Sequence, residues 1–142
     1  MASTVTDQPD GPTVDEVLSL AAAGRFVDAL AARDFDAVVG TLAPDVAFRA
    51  LLPRRVLDVT GREAVRSAFE TWFGSAERWD MIEAVVGEVG GLVHLRWRLR
   101  LTKPDLGPGD FVVEQQVYAH PGADGHLRNV ALLCTGFRPD AR

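Results

Sequence analysis

Between Val93 and Leu101 the chain alternates without a break: Val93, Leu95, Trp97, Leu99 and Leu101 are apolar, while His94, Arg96, Arg98 and Arg100 between them are polar. A period of two sends successive side chains to opposite faces of a sheet, and nine residues at about 3.3 Å each span roughly 30 Å. The stretch is therefore a long strand with one dry face and one wet face. Gly90-Gly91 precedes it, and Pro104, Gly107, Pro108 and Gly109 follow it. Its neighbours are then reached by turns and pair with it antiparallel. The dry face needs a cover, which predicts the centre of a curved sheet with helices on its concave side.

Helices able to supply that cover lie upstream. Thr13-Val14-Asp15-Glu16 has the form of a capping box, and Val14, Val17, Leu18, Ala21, Phe26, Ala29 and Leu30 recur at helical spacing to about Arg33, with Gly24 a candidate bend. Asp34 can cap a second helix, Phe35 to Leu42, which stops before Pro44. Two short strands follow, Val46 to Ala50 and Val56 to Val59. Thr60-Gly61-Arg62-Glu63 repeats the capping-box pattern ahead of a helix carrying Val65, Ala68, Phe69, Trp72 and Phe73. From Arg78 onward the segments 78–88, 92–102, 111–120 and 126–137 all read as strands joined by turns. Helices first and a four-strand meander last is an α+β order, with helices on one face of a mostly antiparallel sheet.

With 142 residues, 47% of them hydrophobic, one domain can bury a core without disulfides or metal. Cys134 is the single cysteine, which excludes an internal disulfide and a multi-cysteine zinc site and fits a reducing cytoplasm. A net charge of −5 and no basic run argue against nucleic acid as a partner. His94, His120 and His126 lack metal-ligand spacing, so no metal is expected. Residues 1–12 hold no long apolar run and read as a disordered leader rather than a signal peptide or membrane anchor, leaving a single domain over 13–138 and a tail over 139–142.

The order of these pieces resembles the nuclear transport factor 2 superfamily. The pieces that carry the likeness are Phe26-Val27-Asp28-Ala29-Leu30, the Leu42-Ala43-Pro44-Asp45-Val46 entry into the first strand, Gly61-Arg62-Glu63-Ala64-Val65 opening the third helix, and the last hairpin around Gly125. That superfamily is a cone-shaped α+β barrel shared by SnoaL-like polyketide cyclases, ketosteroid isomerase and limonene epoxide hydrolase. The resemblance covers about Thr13 to Phe137 and speaks to fold far more than to activity. Where ketosteroid isomerase keeps its base and its enolate-binding pair, this chain has Ala50, Phe26 and Gln116. Where limonene epoxide hydrolase holds its water, it has Phe48, Ala50, Trp97, Leu99 and Leu132. Neither known constellation survives.

Residues 111–120 admit two facings. Hydrophobicity alone buries Phe111, Val113, Val117 and Ala119, whereas the resemblance turns Val112, Glu114, Gln116 and Tyr118 inward. Following the resemblance, the pocket is lined by Phe26, Leu30, Phe48, Phe69, Trp79, Met81, Trp97, Leu99, Leu132 and Cys134, with Glu114, Gln116 and Tyr118 as the candidate catalytic groups. On that view Glu114 is either a desolvated general acid or base or a rim carboxylate paired with an arginine. The resemblance implies a cofactor-independent cyclase, isomerase or hydrolase acting on a hydrophobic oxygenated metabolite by acid–base chemistry, or else a non-catalytic binding or docking module. It also implies a homodimer through an outer apolar face made of Phe111, Val113, Val117, Ala119, Ala131, Leu133 and Phe137.

Overall fold

The computed structural model describes residue 11 and residues 13–140, the Asp15 side chain apart. Most of the expected leader and the last two residues of the expected tail lie outside that range. In chain order the elements are α1 (Val14–Ala31), α2 (Phe35–Gly40), β1 (Ala47–Leu52), β2 (Arg55–Thr60), α3 (Arg62–Phe73), β3 (Trp79–Val89), β4 (Leu92–Thr102), β5 (Asp110–Pro121), β6 (Leu127–Cys134) and β7 (Arg138–Pro139). No described helix is long and apolar enough to cross a membrane.

The local chemistry read from the sequence forms these elements, with two exceptions. At Thr13 the capping box is complete: the hydroxyl accepts from the Glu16 amide at 3.1 Å, and the Thr13 amide donates to the Glu16 carboxylate at 2.9 Å. Asp34 caps α2 through the Ala37 amide at 3.1 Å. The second capping box does not form. Thr60 is still paired with Ala47 as the last residue of β2, so Gly61, at φ +94°, becomes the N-cap of α3 with no side chain to offer. Gly24 produces no break, because α1 runs unbroken through it.

The sheet runs β2-β1-β6-β5-β4-β3 and curls into an open cone, with β2 and β3 as its unjoined edges. All neighbours are antiparallel except β1 and β6, which pair in parallel with Phe48 opposite Val130 and Leu51 opposite Leu133. Strand β6 pairs β5 over 115–121, and β7 takes up the start of β5 at Phe111 and Val112, so part of the expected tail is strand. Asp140 beyond it accepts from the Arg100 guanidinium at 2.8 Å.

Val93, Leu95, Trp97, Leu99 and Leu101 are all fully buried, and the helices pack against that face. The interior of the cone is filled with rings. Phe26 lies 5.4 Å from Trp97 and 6.1 Å from Phe69, centroid to centroid, and Phe69 lies 5.3 Å from Trp72. Each ring contributes about 1.5–3 kcal/mol by burial and roughly 0.5–1.5 kcal/mol more per well-placed aromatic pair. This packing occupies the space in which a deep cavity would otherwise sit.

Candidate functional site

Strand β5 faces the way its hydrophobicity indicates, not the way the resemblance implied. Phe111, Val113, Gln115, Val117 and Ala119 point into the core, and Val112, Glu114, Gln116 and Tyr118 are half-buried on the outer face. The register explains it. Trp97 is opposite Gln115 and Arg98 is opposite Glu114, and directly opposed residues share a face. The expected catalytic trio therefore lies on the wrong side of the sheet for the cone. The same register removes the expected dimer patch, since Phe111, Val113, Val117 and Ala119 are core residues; Ala131 and Leu133 remain outside.

On that outer face the trio joins a polar ladder. Arg98 donates to Glu114 at 2.9 Å, and Arg96 donates to both oxygens of Glu83 at 3.1 and 3.2 Å. The Arg96 hydrogen bonds hold the Glu83 carboxyl below the ordinary carboxylate range, and in return Glu83 raises Arg96. His94 stacks on Tyr118 with ring centroids 4.7 Å apart, and its Nε2 is 3.1 Å from the Gln116 carbonyl oxygen. Each member has a partner. Glu114 is thus the arginine-paired carboxylate of the two alternatives.

Of the expected lining residues, Phe48 borders a groove of about 350 Å³ with Ala47, Val59 and Val130, and Cys134 borders both a larger cleft and a hollow of about 150 Å³ that it shares with Glu114 and Gln116. Phe26, Leu30, Phe48, Phe69, Trp97, Leu99 and Leu132 are buried in the core, and Trp79 and Met81 are half-buried against it. Trp79 ties α1 to the sheet, because its indole N–H donates to the Leu30 carbonyl at 3.0 Å while the Arg33 guanidinium sits 5.3 Å over its ring. Arg33 also donates to the carbonyls of Phe73, Gly74 and Ala76, satisfying the end of α3.

The larger cleft, of about 560 Å³, lies at one end of the cone. Its walls are the β1–β2 turn (Leu52, Pro53, Arg54, Arg55), the end of α3 (Trp72, Phe73), Leu106 from the β4–β5 loop, Val113 and Gln115 of β5, and Cys134, Gly136 and Phe137. Gly136 makes the close approach on one side. At φ +77° it adopts a backbone that suits glycine, and a Cβ there would stand 2.7 Å from Pro53 Cγ.

At the floor of the cleft is a buried relay. The Trp97 indole N–H donates to Gln115 Oε1 at 3.0 Å, and Gln115 Nε2 donates to Cys134 Sγ at 3.4 Å, which also accepts from the Gly136 amide at 3.3 Å. Gln115 is 1% exposed, and its second amide hydrogen meets no acceptor among the described residues. No described lining residue is a carboxylate or a histidine. Among the described residues no group of three His, Cys, Asp or Glu is placed to hold a metal ion. Sequence reasoning missed Gln115, although alternation from Phe111 points it inward.

Comparison with known proteins places this geometry. A family model for the SnoaL-like domain matches residues 23–133. No curated protein matches the sequence. Among solved structures, a candidate polyketide cyclase from Xanthomonas campestris pv. campestris aligns with a TM-score of 0.66 at 20% identity, over 84% of this chain and 91% of that one. A candidate isomerase from Bacillus subtilis aligns at 0.69 with 8% identity, over 87% and 90%. Bal32a, from a soil-derived mobile gene cassette, aligns at 0.68 with 14% identity, over 85% and 92%. At such identities the likeness is one of fold.

Proposed function

Because the chain belongs to the SnoaL-like domain family, we propose that it binds a hydrophobic, oxygenated small molecule in the cleft at the end of the cone, and that it holds this molecule rather than transforming it by acid–base catalysis. The observation that carries the reading is the lining itself: an apolar wall around Gln115, whose carbonyl oxygen is held by the Trp97 indole and whose second amide hydrogen has no acceptor among the described residues. A cyclase, isomerase or hydrolase of the acid–base type needs a group that exchanges a proton near neutral pH. Glu114, the expected candidate, is on the other face with Arg98.

Cys134 supplies the test. It is the only cysteine in the chain and it borders the cleft. Aromatic ketones and phenols that raise the melting temperature are expected to slow alkylation of Cys134, and Gln115→Leu is expected to weaken them. A stabilising compound that leaves the alkylation rate unchanged binds elsewhere and overturns the reading. Conversion of the bound compound at an enzymatic rate would restore the catalytic alternative.

A further inference from the structure

The chain carries an excess of acid, with a formal net charge of −5, and most of its basic side chains have found partners. Arg49 pairs with Asp58, Arg66 with Asp36, Arg78 with Asp80 and Asp110, Arg96 and Arg98 with Glu83 and Glu114, Arg100 with Asp140, and Lys103 with Asp105. Arg33, Arg62 and Arg128 donate to backbone carbonyls. Among the described residues, Arg25, Arg54, Arg55 and Arg138 have neither an ion pair nor a side-chain hydrogen bond. Two of these four are adjacent and stand together at the lip of the cleft.

Their placement follows from the hairpin. Leu52 pairs with Arg55 as the last rung between β1 and β2, which leaves Pro53 and Arg54 as a two-residue turn. Arg54 and Arg55 are the only charged groups among the described residues lining an otherwise apolar cleft. Arg55 is also shared with a neighbouring groove of about 370 Å³ between β2 and α3, as are Leu52 and Trp72. Arg55 thus stands where two apolar surfaces meet the solvent, with Arg54 beside it on the cleft.

Resting on the binding reading above, we infer that the ligand is an apolar molecule bearing one carboxylate, its body in the cleft against Trp72 and Phe137 and its carboxylate held at the lip by Arg54 and Arg55. A guanidinium presents its donors as a planar fork that matches the two oxygens of a carboxylate. A largely apolar body whose oxygen meets Gln115, with an anionic head at the lip, satisfies both ends of the site at once.

The test compares pyrenebutyrate with pyrenebutanol, the same body with and without the charge, by quenching of tryptophan emission and by protection of Cys134 from alkylation. The acid is expected to bind about tenfold more tightly at low salt, a preference that shrinks as ionic strength screens the exposed arginines. The double variant Arg54→Gln/Arg55→Gln is expected to bind acid and alcohol equally, while Arg25→Gln, which removes an unpartnered arginine that does not line the cleft, keeps the preference. Equal binding of both probes by the unmodified protein, with Cys134 protected by each, overturns the carboxylate inference and leaves the binding reading standing. A preference that survives in the double variant overturns the assignment to these arginines. Failure of both probes to bind or to protect Cys134 overturns the inference, and failure of the aromatic ketones and phenols as well overturns the binding reading.

Discussion

Val117→Glu separates the two facings of β5, because they give opposite outcomes. Were Val117 on an outer patch, a glutamate there would be solvated, and it would alter association at most. In the structure Val117 is fully buried, opposite Leu95 on one side and Leu132 on the other, themselves 0% and 1% exposed. Losing the valine forfeits about 2 kcal/mol of transfer free energy. A carboxyl in this setting must be neutral when folded, and holding the proton at pH 7 against an unfolded pKa near 4.3 costs about 3.7 kcal/mol. The unpaired polar group and the larger side chain add about 2 kcal/mol more. The total, about 8 kcal/mol, compares with about 5–15 kcal/mol for a whole domain. The expected result in urea titrations followed by circular dichroism is a protein largely unfolded at pH 7. The sign of the pH effect is fixed as well: the folded pKa is raised, so stability returns as pH falls, with about 2.7 kcal/mol regained at pH 5. A variant with the parent's midpoint at pH 7 would refute the facing of β5 and with it the placement of Gln115.

Leu133→Glu, by contrast, alters an exposed outer residue and is expected to move the urea midpoint by less than about 1 kcal/mol equivalent. Gly125→Ala should lower stability by about 3 kcal/mol, since φ is +76° and the new Cβ would stand 2.5 Å from Leu18 Cβ, whereas Gly90→Ala, with φ +56° but open space, should lose about 1 kcal/mol; thermal melts distinguish them. Gln115→Leu strands the Trp97 indole N–H and is expected to destabilise by about 1–3 kcal/mol in denaturant titrations. The Glu83 carboxyl is lowered by its hydrogen bonds from Arg96, so its stabilisation is present above the unfolded value near 4.5 and disappears as pH falls through the lowered one. Glu83→Gln should therefore flatten the acid limb of the stability–pH curve below about 4.5.

The parts of the fold legible in the sequence are those set by near neighbours. The alternation of 93–101, the Thr13 cap and the Asp34 cap each depend on residues a few positions apart. The facing of 111–120 was legible too, in the run Phe111, Val113, Val117, Ala119, but it conflicted with a resemblance, and at low identity the parity of a strand is easily shifted by one residue in the preceding turn. Three things were beyond local reasoning. The parallel pairing of β1 with β6 joins residues about eighty positions apart, as Phe48 and Val130 do. Whether rings from Phe26, Phe69 and Trp97 fill a cone or line it depends on summed volume, which period does not reveal. The cleft is made by a turn, a helix end and a loop, and no sequence pattern links Arg54 to Gln115 before the chain is folded.

That parallel pairing has a kinetic consequence. Strands β3 to β6 follow one another through short turns and can zip together from local contacts, but the β1–β2 hairpin has no sheet to join until β6 is in place. Closing a loop of that length carries the larger entropic penalty, so the hairpin docks late and departs early. The cleft lies across this seam, with Pro53 and Arg54 on one bank and Cys134 and Gly136 on the other. That order predicts a cleft that comes into being at the final step of folding and is the first region lost on unfolding. A molecule seated there acts as a clasp on the seam, lengthening the lifetime of the folded state more than it speeds its formation.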